Sequence, residues 1–488
     1  MNILSHFNEF LINKVKENIN IYMRNICNCL NNNPFNFDCY TTFVEELDTF
    51  SSKLTTQAYQ EFILLLDEEF MQSKNRKLSY DSKGFLTKPL LTKFGWIIFK
   101  RRRYISKENG ETLMYVDRLL GLAKHSRLDP FVIADLCEAA ASTSYSNAGV
   151  IVSKTIGTKV KYDNDINKNI LSRATVRNNV LKAVAIMNEP APNEAKIISE
   201  LNIMIDEKFV PSQFNDGKDH MVKSAIVFEK YKREYGNRMR LVGKKVFASV
   251  EDNLLKDVTD YIYYHYDTDK LKKINIMGDG ALWIKSFALD SSFKYHKDLI
   301  IKFGLDHFHM AQALKQIATN KNEIHYKFMY RYVRQNKFEY FLKVCNSLMK
   351  LHPHREHTIR EKMLYIVNNW ESIQTSFREI EYKCSMESNI SHILADLFTA
   401  RPKAYSKEGL IKLLKLRLLK TNGYDMKKLY FEALKKVQKE IKDKEIIERN
   451  IISNIKFNDS LYNCVPEMHS SSELSLSLRN IINSGIKI

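Results

Sequence analysis

The sequence predicts an α/β core interrupted by a helical block, and three observations carry that expectation. Strand-like segments rich in β-branched and aromatic residues follow one another at ELNIMIDEKFV (200–210), KSAIVFEKYK (223–232) and RLVGKKVFASV (240–250). An amphipathic helix, NLLKDVTDYIYYHY (253–266), then leads to two further strands, INIMGD and LIIKFGLDHFH. From Met310 to about Lys383 the periodicity is helical again, with many aromatics, as in HYKFMYRYVRQNKFEYFLKV.

Three strands, a helix, a strand and another strand is the order of a ribonuclease-H-like domain. The expected class is therefore an α/β core with a ribonuclease-H-like mixed sheet and an all-helical insertion. Residues 1–78 should form a helical region, since FLINKVKENINIYM and FILLLDEEFM carry apolar residues at helical spacing. Residues 79–129 should hold a hairpin, FGWIIFKRRRYIS and ETLMYV joined around Asn109-Gly110. Residues 130–187 read as helix-turn-helix-like: SYSNAGVIVSKTIG and LSRATVRNNVLKAV would be its helices, Ser172 capping the second. Arg173, Thr175, Arg177 and Asn178 would then face DNA, although the connection KVKYDNDINKN is longer than a tight turn. NEPAPNEAK (188–196) holds two of nine prolines and reads as a linker. The core would run over 197–309, the insertion over 310–380, a closing helix over 381–405, and a basic helical C-terminal region, including LIKLLKLRLLK, over 406–488.

Composition narrows the class. At 488 residues, 44% hydrophobic and 27% charged, the chain is a globular protein of several domains. There is no apolar run of membrane-spanning length, and the polar start MNILSHFNEF is no signal peptide, so the expected location is cytoplasmic and nucleoid-associated, with no membrane partner. Seven scattered cysteines offer no second pair at zinc-ligand spacing and read as free thiols. The formal charge of +18 suits a polyanion, double-stranded DNA first. Arg101, Arg102 and Arg103, following Lys100, form a compact basic cluster, and Lys232, Arg233, Arg238, Arg240 and Lys244 form a looser one.

Acids fall where such a sheet would gather them. Its first and fourth strands lie side by side, so Asp206 in the first and Asp279 at the end of the fourth should converge. A third acid must come from a later helix, and Glu387 lies on the apolar stripe that Ile390, Ile393, Leu394, Leu397 and Phe398 continue. It reads equally as a solvated first-turn glutamate favoured by the helix dipole. Three carboxylates are what two-metal phosphoryl chemistry needs, and hard cations, Mg²⁺ or Mn²⁺, take oxygen ligands. Gly278 and Gly280 would flank Asp279 so that metal and scissile phosphate can approach it.

The blocks GDGALWIK, LDHFHMAQAL and CSMESNISHILADLFTARPKAYSKEGL resemble those of the ISLre-type insertion-sequence transposases, a bacterial family similar to Mutator-like transposases. FGWIIFKRRRYI and ELNIMIDEKFVPSQ fit in order, so the resemblance spans roughly residues 80–420. It implies an Asp-Asp-Glu site with two metal ions on Asp206, Asp279 and Glu387, and an auxiliary Asp306–His309 pair that supports the site or grips DNA. It also implies cleavage of transposon ends, strand transfer by the exposed 3′-hydroxyl, and a homo-oligomer, at least a dimer, on DNA. The first block departs from the family pattern: Lys208 and Phe209 stand where an acid and a histidine usually follow, which leaves Glu207 a rival to Asp206. An inactive DNA-binding relative, or a nuclease without strand transfer, are the alternatives. His352, His354 and His357 read as surface residues, and Trp370 as core of the insertion.

Overall fold

A computed structural model of the chain describes residues 3–32, 37–156, 171–192, 194–214, 219–234, 239–293, 295–318, 323–382, 384, 386, 398 and 404–440. They divide into two units, Met1–Asp135 with Val152–Ile170 and Lys427–Ile488, and Leu136–Ile151 with Leu171–Met426.

In the first unit, α1 (Ile3–Asn32) and α2 (Phe37–Gln72) form a helical hairpin held partly by polar contacts, such as Asn18 to Gln57 at 3.1 Å. After the short α3 (Lys74–Ser79) come β1 (Tyr80–Thr92), β2 (Gly95–Ser106), β3 (Thr112–Leu113) and α4 (Tyr115–Leu119). Ile63, Leu90, Ile97, Phe99 and Val116 bury a common core between α2, β1, β2 and α4. The hairpin expected around Asn109-Gly110 is corrected here. The main partner of β2 is β1, which precedes it, with Thr92 opposite Gly95. Only Tyr104 and Ile105 pair with β3, and the rest of ETLMYV turns into α4. β1 escaped notice because its first half is largely exposed, so it lacks apolar alternation, and it carries a bulge at Gly84 and a proline at 89.

The second unit holds the mixed α/β core. Its elements are α5 (Pro130–Ala140) and α6 (Tyr145–Ile156), both shared with the first unit, α7 (Arg173–Ile186), β4 (Glu200–Val210), β5 (His220–Phe228), β6 (Lys230–Arg233), β7 (Met239–Val242), β8 (Lys245–Ser249), α8 (Leu254–His265), β9 (Lys273–Gly278), α9 (Leu282–Leu289) and β10 (Ile300–Leu305). The central sheet has the order β10-β9-β4-β5-β8. β10, β9 and β4 are parallel, while β5 and β8 alternate antiparallel. The expected strand over 240–250 is broken at Gly243 (φ 64), where a side chain would collide with Glu229; β7 instead pairs with β6 as a separate ribbon.

Strand alternation sends Leu201, Ile203 and Ile205 into one core with Val258 and Ile262 of α8 and Ile284 and Phe287 of α9. Full burial of each such aliphatic side chain stabilises by about 1.5–3 kcal/mol. Asn202, Met204 and Asp206 alternate to the opposite face.

The helical block follows: α10 (His307–Ile317), α11 (Glu323–Arg334), α12 (Phe338–Leu351), α13 (Glu356–Asn368) and α14 (Trp370–Arg378). Met310, Leu314, Met329, Phe341, Ile366 and Ile373 form its core. Trp370 packs edge-on to Phe338 within it, and its indole donates to Asn336 at 2.7 Å. Helix α15 (Lys407–Thr421) buries Leu410, Leu413, Leu416 and Leu419. No described helix is long and apolar enough to cross a membrane.

Candidate active site

Three neighbouring parallel strands each bring an aspartate to one level of the sheet: β9 and β10 run into Asp279 and Asp306, and β4 carries Asp206 within it, opposite Ser224 of β5. The pairing of β4 with β9 reaches Met204 opposite Met277, so Asp206 and Asp279, each two residues further on, stand at equivalent positions, Asp206 still paired with β5 and Asp279 just past the end of β9. β10 ends at Leu305, and the Asp306 N–H continues the ladder to the Gly278 carbonyl at 2.8 Å. Ligands of open α/β sheets gather at these carboxyl ends.

Each aspartate is held by local backbone. Asp206 Oδ1 accepts the Glu207 N–H at 2.8 Å, and Asp279 Oδ1 accepts the Ala281 N–H at 2.9 Å. Asp306 caps α10: its Oδ1 accepts the Phe308 N–H at 3.0 Å, and its Oδ2 meets His309 Nδ1 at 3.0 Å. Asp306 is 4% exposed, so a buried charge is satisfied twice over.

The groups feel one another. Burial, with smaller contributions from the charges of Asp279 and Asp306, raises the Asp206 carboxyl to about 6 against the opposing pull of the Glu207 N–H and His309. His309 is raised above its ordinary value, first by its hydrogen bond to Asp306 and then by the surrounding acids. Cys384, which sequence reasoning passed over, belongs to the same neighbourhood: burial, then Asp306, pushes its thiol well up, and Asp206 adds to this. The Oδ2 atoms of Asp206 and Asp279 take no hydrogen bond among the described residues, and as hard oxygen donors they suit Mg²⁺ or Mn²⁺. Among the described residues no three His, Cys, Asp or Glu side chains already converge tightly enough to hold a metal ion. Glu387, the expected third ligand, lies outside the described residues.

Geometry separates Asp206 from its rival. Alternation turns Glu207 to the other face, where its carboxylate accepts the Trp283 indole N–H.

The role expected of the glycines is corrected. A Cβ on Gly278 would lie 2.7 Å from Ile284 Cγ2, and one on Gly280 (φ 85) 2.6 Å from Asn369 Oδ1 and 2.8 Å from Leu305 Cδ1. Protein atoms, not room for a ligand, require both glycines. Asn369 belongs to a bracket from the helical block: Tyr365 Oη donates to the Asp279 carbonyl at 2.5 Å, and Asn369 Nδ2 donates to the Tyr365 carbonyl at 2.8 Å. No local motif marks these two residues in the sequence, since they reach the site only through tertiary packing. Gly280→Ala combines left-handed strain of about 1–2 kcal/mol with overpacking of about 1–3 kcal/mol. Its urea midpoint should fall accordingly, and an unchanged midpoint would show that the bracket does not press on this loop.

The basic residues divide. Arg101 pairs with Asp117, and Arg102 with Asp67 and Glu68, so both are tied within the first unit, while Arg103 is exposed. Arg173 and Arg177 are exposed one turn apart on α7, whose N-cap Ser172 accepts the Thr175 N–H at 3.2 Å. Gly149 in α6 lets the Leu171 carbonyl approach to 2.4 Å of where a Cβ would stand. The connection between the two helices lies outside the described residues. His354 and His357 are exposed and His352 is half-buried.

Comparison with known proteins adds kinship. The model of an uncharacterised protein family, UPF0236, matches residues 32–435. A UPF0236 protein of Caldanaerobacter subterraneus subsp. tengcongensis is 29% identical over 402 residues, covering 81% of this chain and 82% of the relative. Another from the same organism is 28% identical over 437 residues, 88% of each chain, and its name joins eleven loci of one genome. The chain belongs to the UPF0236 family.

Proposed function

We propose that the chain is the transposase of an insertion sequence, cutting the element's ends in a divalent-metal-dependent reaction and joining them to target DNA through the freed 3′-hydroxyl. One observation carries this reading: Asp206 and Asp279 stand at equivalent positions of the neighbouring parallel strands β4 and β9, close enough for the Asp279 charge to act on the Asp206 carboxyl. Phosphodiester cleavage asks for such a pair, completed by a third acid such as Glu387. In this reading Mg²⁺ or Mn²⁺ would be held by Asp206 and Asp279 and would supply stabilisation of the charge that develops on the reacting phosphate. Asp306 would hold His309 in place, and the Tyr365–Asn369 bracket would fix the Asp279 loop.

Two further observations support it. The sheet order β10-β9-β4-β5-β8, in which β5 alone runs against the other strands, supports the ribonuclease-H-like reading. Relatives present at many loci of one genome suit a mobile element. The same features suit a nuclease without strand transfer, which would nick end DNA and never join it; nicking and joining scored in one reaction separate the two.

On this reading α7 meets DNA. Arg177→Ala should weaken binding to the cognate end more than to unrelated duplex, roughly tenfold for a lost base contact of about 1–3 kcal/mol. An equal loss on every sequence would make Arg177 a phosphate contact instead, and no loss on any would take α7 off the DNA.

A further inference from the structure

Helices α11 and α12 of the helical block carry a row of aromatic rings among cations. The Phe328 ring lies 6.3 Å from that of Tyr332 with the planes 16° apart, and Tyr332 lies 5.5 Å from Tyr340 at 33°. Phe328 and Tyr332 are one turn apart on α11, and the connection through Asn336 (φ 58) brings Tyr340 of α12 beside them. Phe328 is 46% exposed and Tyr340 54%, although a phenylalanine ring is ordinarily buried. The ammonium groups of Lys337 and Lys343 lie 5.7 and 5.5 Å from the Tyr340 ring centre. Arg331 and Arg334 are exposed on α11, and none of these four cations has an acidic partner among the described residues. Tyr332, Tyr340, Lys343, Val344 and Leu351 help to line a cavity of about 280 Å³. No acid lines it, and Glu339 of α12 stays outside.

We propose that this face of the helical block binds single-stranded DNA, stacking bases on the Phe328–Tyr332–Tyr340 row and meeting phosphates with Lys337, Lys343 and Arg331. That the strand is DNA rests on the transposase reading; that it is single rests on the rings themselves. A duplex hides the faces of its bases, so exposed rings gain nothing from it, whereas a single strand offers a π-face at every nucleotide. An ammonium over an exposed ring is weakly held. A base therefore replaces it over Tyr340, and the freed ammonium turns to the neighbouring phosphate. Val344 and Leu351 give the base an apolar wall, and the lack of an acid in the lining leaves the phosphate unopposed. The stacking is indifferent to sequence, because every base presents the same kind of face.

The test uses the full chain in EDTA, which withholds the divalent ion, and two labelled single strands about ten nucleotides long. One is oligodeoxythymidylate and the other an abasic strand of equal charge. By fluorescence anisotropy the wild-type chain should bind the base-bearing strand about tenfold more tightly. Phe328→Ala and Tyr340→Ala, both at exposed positions, should together abolish that preference, while Tyr340→Phe alone keeps it. Lys337→Gln with Lys343→Gln should weaken both strands alike. Equal binding of both strands by the wild type, or a preference that survives the loss of both rings, overturns the proposal. Mg²⁺-dependent cleavage of end DNA is followed separately. Base preference without cleavage retains this face and removes the nuclease reading, and cleavage without base preference does the reverse.

Discussion

Asp279→Asn should lower cleavage of the element's end by at least about 10³-fold while leaving its affinity for that end within about twofold. The substitution keeps the shape and the Oδ1 acceptor for the Ala281 N–H, so the turn into α9 survives. It removes the charge of a carboxylate that faces Asp206, and with it the attraction for a divalent ion. Asp206→Asn should behave alike. Asp306→Asn should differ, since both Asp306 oxygens are committed to the Phe308 N–H and His309; its loss should loosen His309 and slow the reaction more modestly. Gel-shift and single-turnover nicking assays on the same preparations separate these effects. An Asp279→Asn protein that cleaves at the parental rate removes this residue from the chemistry.

Asp117→Ala should cost the first unit about 3–5 kcal/mol. Asp117 is the shared anion of Lys88, at 2.9 Å, and Arg101, with side-chain exposures of 11%, 5% and 16% for the acid, Lys88 and Arg101. Burial, and then the Arg101 charge, lowers the Lys88 ammonium to about 8. Burial also lowers Arg101. Without Asp117 two cations remain in a desolvated site with no counter-charge, against a total stability of typically 5–15 kcal/mol. Replacing Lys88 and Arg101 by Met together with Asp117→Leu should recover most of the loss, because apolar side chains of similar volume remove the desolvation penalty. Urea unfolding checks both variants. A single Asp117→Ala within about 0.5 kcal/mol of the parent would mean that water reaches these cations.

Periodicity made much of the second unit legible. α8 carries an amphipathic pattern because it buries one face, β4 and β9 read as short apolar runs because central strands are buried on both faces, and the helical block shows its aromatics at helical spacing. That Asp206 and Asp279 lie on neighbouring strands followed from strand order alone, since parallel neighbours bring equivalent positions together. Elements stabilised by pairing rather than burial were not legible, as with the exposed half of β1 and the β6–β7 ribbon. Sequence also misread the charge of Arg101 and Arg102, because an arginine triplet looks like a surface patch until its acids, Asp67 and Asp117, are found far away in the chain. The glycines beside Asp279 were misread for the same reason: Asn369 and Leu305, which press on Gly280, are remote in sequence.

The central claim is that the carboxylates of Asp206 in β4 and Asp279 just past β9 work a divalent cation on DNA. Its most direct measurement is single-turnover reaction of a labelled duplex carrying the element's terminal repeat, in Mg²⁺ and in EDTA, with the nicked ends and any joined product resolved on one gel. The account predicts nicks bearing 3′-hydroxyls and then strand-joined product in Mg²⁺, neither in EDTA, and neither from Asp279→Asn. Nicking that persists in EDTA, or that Asp279→Asn carries out like the parent chain, would contradict it.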